Sequence, residues 1–131
     1  MARWRSIGLV CTLAACGSSN SQNDAATKKD GASAPTVGTV DCGTFTPVAT
    51  VTIVGMAYSP QPLTINEGQV VEFVTTSTHN VTPGHFSADS TIADPGLSVD
   101  FSTTACKMFT FAGPYGFHCS VHGFDGTIMV Q

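Results

Sequence analysis

Charge is scarce in this chain. Of 131 residues only 11% are charged, with Lys+Arg 5 against Asp+Glu 9 and a formal net charge of −4. No basic stripe is present, which counts against nucleic-acid binding. No stretch reaches the roughly 18 uninterrupted apolar residues that a membrane-spanning helix needs. No segment sustains the periodicity of an amphipathic helix, and no internal repeat is visible. A Ser/His/Asp set, a phosphate-cradling glycine loop and paired acid–base carboxylates are all missing, so an enzyme is not expected. The length suits one small domain and is too short for two of ordinary size.

What is abundant points to strands. Gly 13 and Pro 7 accompany much Thr, Ser and Val, a composition of β-branched segments punctuated by turns. The β-branched stretch 48–54 is bounded by turn residues. Residues 63–66 follow Pro60 and Pro62, and Glu67-Gly68 supplies the next turn. In 70–75 the side chains alternate, with Val71, Phe73 and Thr75 on one face and Val70, Glu72 and Val74 on the other. Further candidates are 97–101, 108–111, 115–119 and 127–130. Seven or so short strands predict an all-β, two-sheet sandwich or barrel.

The N-terminus reads as an address. Arg3 and Arg5 precede an apolar stretch of about ten residues, too short to span a bilayer. It ends Leu13-Ala14-Ala15-Cys16, which resembles the lipobox of bacterial lipoproteins. That resemblance implies a signal peptide over 1–15, export to the cell envelope or periplasm, and a lipidated Cys16 that anchors the chain to a membrane without spanning it. The alternative is an ordinary small-residue cleavage site with a bystander cysteine. Residues 17–38 carry hardly a large apolar side chain, so 16–38 is expected to be the lipidated terminus and a tether. The folded unit is then 39–131. It keeps one base, Lys107, against seven acids, a formal −6, and should be steered toward a basic partner.

Five cysteines are present. Cys11 leaves with the signal and Cys16 is the lipid site. Cys42, Cys106 and Cys119 remain, an odd number in an oxidising compartment. Cys42 and Cys106 stand outside any ligand-like spacing and are paired here as a disulfide; a bridge from Cys119 to either is the alternative. Cys119 has other company. Cys119-Ser120-Val121-His122 sets a thiolate and an imidazole three residues apart, and His79-Asn80 follows the strand ending near Thr75. One thiolate with two imidazoles is the donor set of a trigonal copper site.

These residues resemble the cupredoxins, most closely the plastocyanin and amicyanin group. The likeness runs through residues 51–60, 63–73, 79–81 and 113–122, then Gly126-Thr127-Ile128-Met129-Val130. It implies a Greek-key β-sandwich binding one copper ion at one end through His79, Cys119 and His122. It also implies that Asn80 pins the two ligand loops together.

The pattern departs at the axial position. Alignment on Gly126 puts Phe124 where the group carries methionine; alignment on His122 puts Asp125 there. Met129 alternates with Ile128 and Val130 and should point outward. The two readings are a three-donor site closed by a non-ligating Phe124, with the Thr78 carbonyl as a weak contact, or a site with Asp125 as an oxygen donor. His118 should face away from Cys119. His85 reads as a loop residue or part of a docking surface near the copper end. Met56 and Met108 read as core or strand residues.

The resemblance implies an electron carrier. Such a protein exchanges single electrons with a redox donor or acceptor, a cytochrome or membrane oxidase among the candidates. His122 is expected to lie in an apolar patch of Phe124, Gly123 and Val121. A monomer is expected. The rival readings are a tethered copper carrier or buffer, and a cupredoxin-like binding module without metal.

Overall fold

The computed structural model describes residues 36–131. The signal expected over 1–15, Cys16 and all but the last three residues of the 16–38 tether lie outside them. Nine strands and one 3-10 turn make up the described domain: β1 Val37–Val40, β2 Ala49–Val54, β3 Ala57–Ser59, β4 Leu63–Ile65, β5 Val70–Val74, β6 Thr82–Pro83, β7 Thr104–Phe109, β8 Gly113–His118 and β9 Asp125–Val130, with the turn at Pro95–Leu97 between β6 and β7. They form two sheets, β1-β7-β5-β2-β3 and β4-β9-β8-β6. The expected all-β sandwich is what the described residues adopt.

Alternation decides what lies between the sheets. In β5, Val71 and Phe73 are fully buried, while Glu72 and Val74 are only half-buried. Val70 is buried as well, because the strand is central and covered at its start. In β9, Ile128 and Val130 are buried and Met129 is 41% exposed, so Met129 points outward as its parity requires. The inward rings meet across the gap. Phe73 and Phe117 pack edge-on with centroids 5.6 Å apart, and Phe109 meets Tyr115 at 5.2 Å. Edge-to-face pairs of this kind add about 0.5–1.5 kcal/mol each beyond the area they bury. The disulfide Cys42–Cys106 links the segment after β1 to β7.

Three expectations change. The folded unit starts before Thr39: β1 runs from Val37, whose side chain is 1% exposed and pairs with Phe109. Val37 is a large apolar residue in an otherwise polar segment, and the Thr36 amide and hydroxyl are both held by the Asp94 carboxylate. Residues 97–101 are not a strand. Asp94 caps the Pro95–Leu97 turn through the Gly96 amide, only Val99 makes a bridge, to Val81, and Phe101 is exposed. Met56 sits on the turn between β2 and β3 and is 55% exposed, not core. Strands β1, β3 and β6 carry too few apolar residues to stand out in the sequence.

Candidate metal centre

Two loops meet at one end of the sandwich. The first leaves β5 and carries His79; the second leaves β8 and carries Cys119 and His122. A tight turn fixes the first loop. The Thr76 amide donates to the His79 carbonyl at 3.1 Å, and the His79 amide donates to the Thr76 hydroxyl at 3.1 Å. The second loop is closed by two backbone bonds, Gly123 N–H to Cys119 C=O at 2.8 Å and Cys119 N–H to Phe124 C=O at 3.1 Å. Gly123 has φ +69°, and the Phe86 ring lies 3.2 Å from where a Cβ would stand. The positive φ calls for glycine there.

The loops are joined by Asn80. Its side-chain oxygen accepts from the amide and the hydroxyl of Ser120, each at 3.0 Å. The carbonyl of Asn80 accepts from the hydroxyl of buried Tyr58 at 2.5 Å. Burial, and then the charges of Cys119 and Asp125, hold that phenol above its ordinary range.

The result is a three-residue cluster. Cys119 Sγ lies 3.7 Å from His79 Nδ1 and 3.7 Å from His122 Nδ1, and the imidazole centroids are 4.5 Å apart. Cys119 is buried, His79 half-buried and His122 exposed. Burial opposes ionisation of the thiol. Hydrogen bonds from the Asn80 amide, the His122 and His79 rings and the Val121 amide outweigh it and bring Cys119 down to about 6. A thiol in that state is largely thiolate at neutral pH, the form that binds metal.

The donor set suits a soft ion. A separation of 3.7 Å is what metal–sulfur and metal–nitrogen bonds of roughly 2.0–2.3 Å subtend at a trigonal angle. Thiolate and imidazole together suit copper. Beside them, the Phe124 ring packs edge-on against His79 at 5.3 Å and tilted against Tyr58 at 4.8 Å. Asp125 is not in the cluster. Its carboxylate accepts from the Phe86 amide at 2.6 Å, and it pairs across the sheet with His118, on the face away from Cys119. Of the two axial readings, the geometry therefore sets Phe124 next to the cluster and turns Asp125 away. The only other metal-like grouping among the described residues is Cys42, Glu72 and Cys106, and its two sulfurs are bonded to each other.

The other sequence candidates fall elsewhere. His118 is half-buried and its Nδ1 meets the Gly84 carbonyl at 2.6 Å. His85 joins Asp89 through Nδ1, and its Nε2 lies 3.0 Å from the Gly126 carbonyl and 2.9 Å from the Thr127 hydroxyl. The patch beside His122 differs from the one expected, because Phe124 turns inward. Its apolar members are Val121 and Phe86, 63% and 65% exposed. Tyr58 and Phe86 have roles at this end that spacing alone could not reveal.

No protein-family profile matches the chain, and no curated protein matches it either. Solved structures do. Amicyanin from Paracoccus versutus is 22% identical over 75% of this chain and 100% of its own, with a TM-score of 0.53. A reduced tryptophan-to-tyrosine variant of amicyanin is 21% identical, covering 73% of this chain and 99% of that one at TM-score 0.52. A methionine-to-alanine variant in the Cu(I) state is 23% identical over 72% and 92%, with TM-score 0.51. At such identity the likeness speaks for architecture, and the described domain has the amicyanin-like β-sandwich fold of the cupredoxins.

Proposed function

We propose that this protein is a type 1 copper protein that carries single electrons between redox partners at the cell envelope. The observation that carries the reading is the buried Cys119 sulfur with two imidazole Nδ1 atoms, each 3.7 Å away. His79, Cys119 and His122 would hold the ion; copper bound there supplies one-electron cycling between Cu(I) and Cu(II).

The remaining work belongs to the protein. Phe124, packed against His79 and Tyr58, sets carbon beside the cluster. Asn80 ties the two ligand loops, so the three donors keep one arrangement across a change of charge. His122 is the ligand with an exposed face, and its ring is the short path from cluster to solvent. Val121 and Phe86 give that face an apolar border. The domain's formal −6 favours approach of a redox partner with a basic surface.

Addition of one equivalent of Cu(II) to the metal-free protein tests this. An intense visible thiolate-to-copper band with narrow EPR hyperfine splitting is expected. A pale spectrum with wide splitting would put Asp125 or water on the metal. No binding would leave a cupredoxin-like module without metal.

The three-donor cluster also favours a second reading, a tethered copper carrier. A thiolate with two imidazoles and no carboxylate in the group suits Cu(I). Fast electron self-exchange supports the carrier of electrons; ready surrender of copper to a chelator supports the carrier of copper.

The Leu13-Ala14-Ala15-Cys16 motif supports export and lipid attachment at Cys16. The domain would then act as a monomer on a membrane-held tether, at high effective concentration toward membrane-bound partners. Cys16→Ser should move the protein from the membrane to the soluble fraction; unchanged fractionation would sink the anchor.

A further inference from the structure

The ligand loop 119–126 is weakly held by itself. It has two internal backbone bonds and two glycines, yet it must aim His122 at Cys119. Asn80 secures it on the Ser120 side. On the other side, beside the β8–β9 ladder and the Gln61 side chain on the Thr127 amide, a second set of contacts comes from the loop that follows β6.

His85 leads this set. Its imidazole is 16% exposed, and Nε2 reaches the Gly126 carbonyl and the Thr127 hydroxyl where β9 begins. Nδ1 is fixed by Asp89, whose carboxylate also accepts from the Thr91 amide and hydroxyl. The next residue, Phe86, donates its amide to Asp125 and lays its ring over Gly123. Residues 123, 125, 126 and 127 are thus all contacted by two consecutive residues of another loop.

We propose that His85 is a positioning residue for the metal site: with Phe86 it braces the 123–127 segment and so fixes the direction of His122. The proposal rests on the copper reading above. It assigns a role to a histidine that touches none of the three ligands. Neighbours that orient a ligand typically matter by about 10- to 100-fold in metal affinity. A stiff ligand loop also limits the rearrangement that accompanies a one-electron change.

The test compares the full chain as wild type, His85→Ala, His85→Gln and Phe86→Ala, each given one equivalent of Cu(II). His85→Ala should lose copper to a chelator about 10- to 100-fold faster than wild type and widen the hyperfine splitting. His85→Gln keeps a donor for the Gly126 carbonyl and should recover most of the difference. A brace with no bearing on the metal would lower the melting temperature yet leave spectrum and release rate unchanged, and that result overturns the proposal. Should His85→Ala fail to fold, Phe86→Ala carries the same comparison.

Failure of the copper reading is separable. If wild type shows no thiolate–copper band, that reading falls, and the brace is judged in the metal-free protein. Faster amide exchange at Gly123 and Phe86 in His85→Ala or, should it not fold, in His85→Gln sustains it; unchanged exchange overturns it.

Discussion

Asn80 holds Ser120 twice, through one side-chain oxygen 3.0 Å from both the amide and the hydroxyl. The two residues stand forty positions apart and on different loops, so this amide joins the two ligand loops at one side. Asn80→Ala removes both bonds and spares the backbone amide that faces the Cys119 sulfur. We expect a loss of about 1–3 kcal/mol of stability and copper release faster by about 10-fold or more. Asn80→Asp keeps the acceptor and should restore much of the stability. Chemical denaturation and chelator kinetics check both effects.

The Phe124 ring lies beside the cluster, packed edge-on against His79 at 5.3 Å. Phe124→Met supplies a thioether there, and a further donor stabilises Cu(II). The midpoint potential should therefore fall relative to wild type, with a changed visible spectrum. Phe124→Ala opens the site to water and should widen the EPR hyperfine splitting. A potential that does not fall in Phe124→Met would show that the ring does not stand at the fourth position.

The lowered pKa of Cys119 has a direct readout. In metal-free protein its thiolate should titrate near pH 6, well below an ordinary thiol. Its folded-state value lies below its unfolded value. The stability it contributes is therefore complete above the ordinary thiol range and is lost as pH falls through about 6. Ultraviolet thiolate absorbance and the pH dependence of alkylation measure this. Copper affinity should weaken over the same acid range, because protons compete for the ligand.

The Cys42–Cys106 disulfide closes a separation of 64 residues. On the chain-entropy account its reduction should cost about 4 kcal/mol. Neither cysteine belongs to the ligand cluster, so Cys42→Ala/Cys106→Ala should lower the melting temperature while retaining the copper spectrum at low temperature. Loss of the spectrum before unfolding would contradict the separation of the two cysteine roles.

A buried cation makes a further case. Lys107 is 5% exposed, its ammonium donates to the Thr39 hydroxyl at 2.7 Å, and burial lowers its pKa. A lysine depressed in this way destabilises the fold while protonated, and the penalty disappears as pH rises through its folded value. Lys107→Met should be neutral or stabilising by about 1 kcal/mol, with less gain of stability toward alkaline pH than wild type.

The periodicity of 70–75 and of 127–130 was legible because each strand has one face against the core and one outside. Period two is then written into the side chains. Residues 97–101 misled for the same reason. Leu97 and Val99 are buried in alternation, as in a strand, but Asp94 and Pro95 turn the backbone before a ladder can form. The short strands β1, β3 and β6 gain their pairing from neighbours and contribute few apolar residues of their own, so no local pattern announces them.

At the metal end the division is similar. Donor chemistry resides in residue types and short spacings, so His79, Cys119 and His122 could be proposed from the chain alone, and Asn80 from the resemblance to the cupredoxins. The choice between Phe124 and Asp125 could not. One residue of offset exchanges them, and the direction of each side chain depends on where β9 begins and on what the Phe86 amide captures. His85 likewise carries no sign of its role, because the Gly126 carbonyl and Thr127 hydroxyl it meets lie more than forty positions away. What the amino-acid order determined was composition, alternation and donor set. What the tertiary structure decided was which side chains face which, since those directions arise only when distant strands and loops pack and satisfy one another's hydrogen bonds.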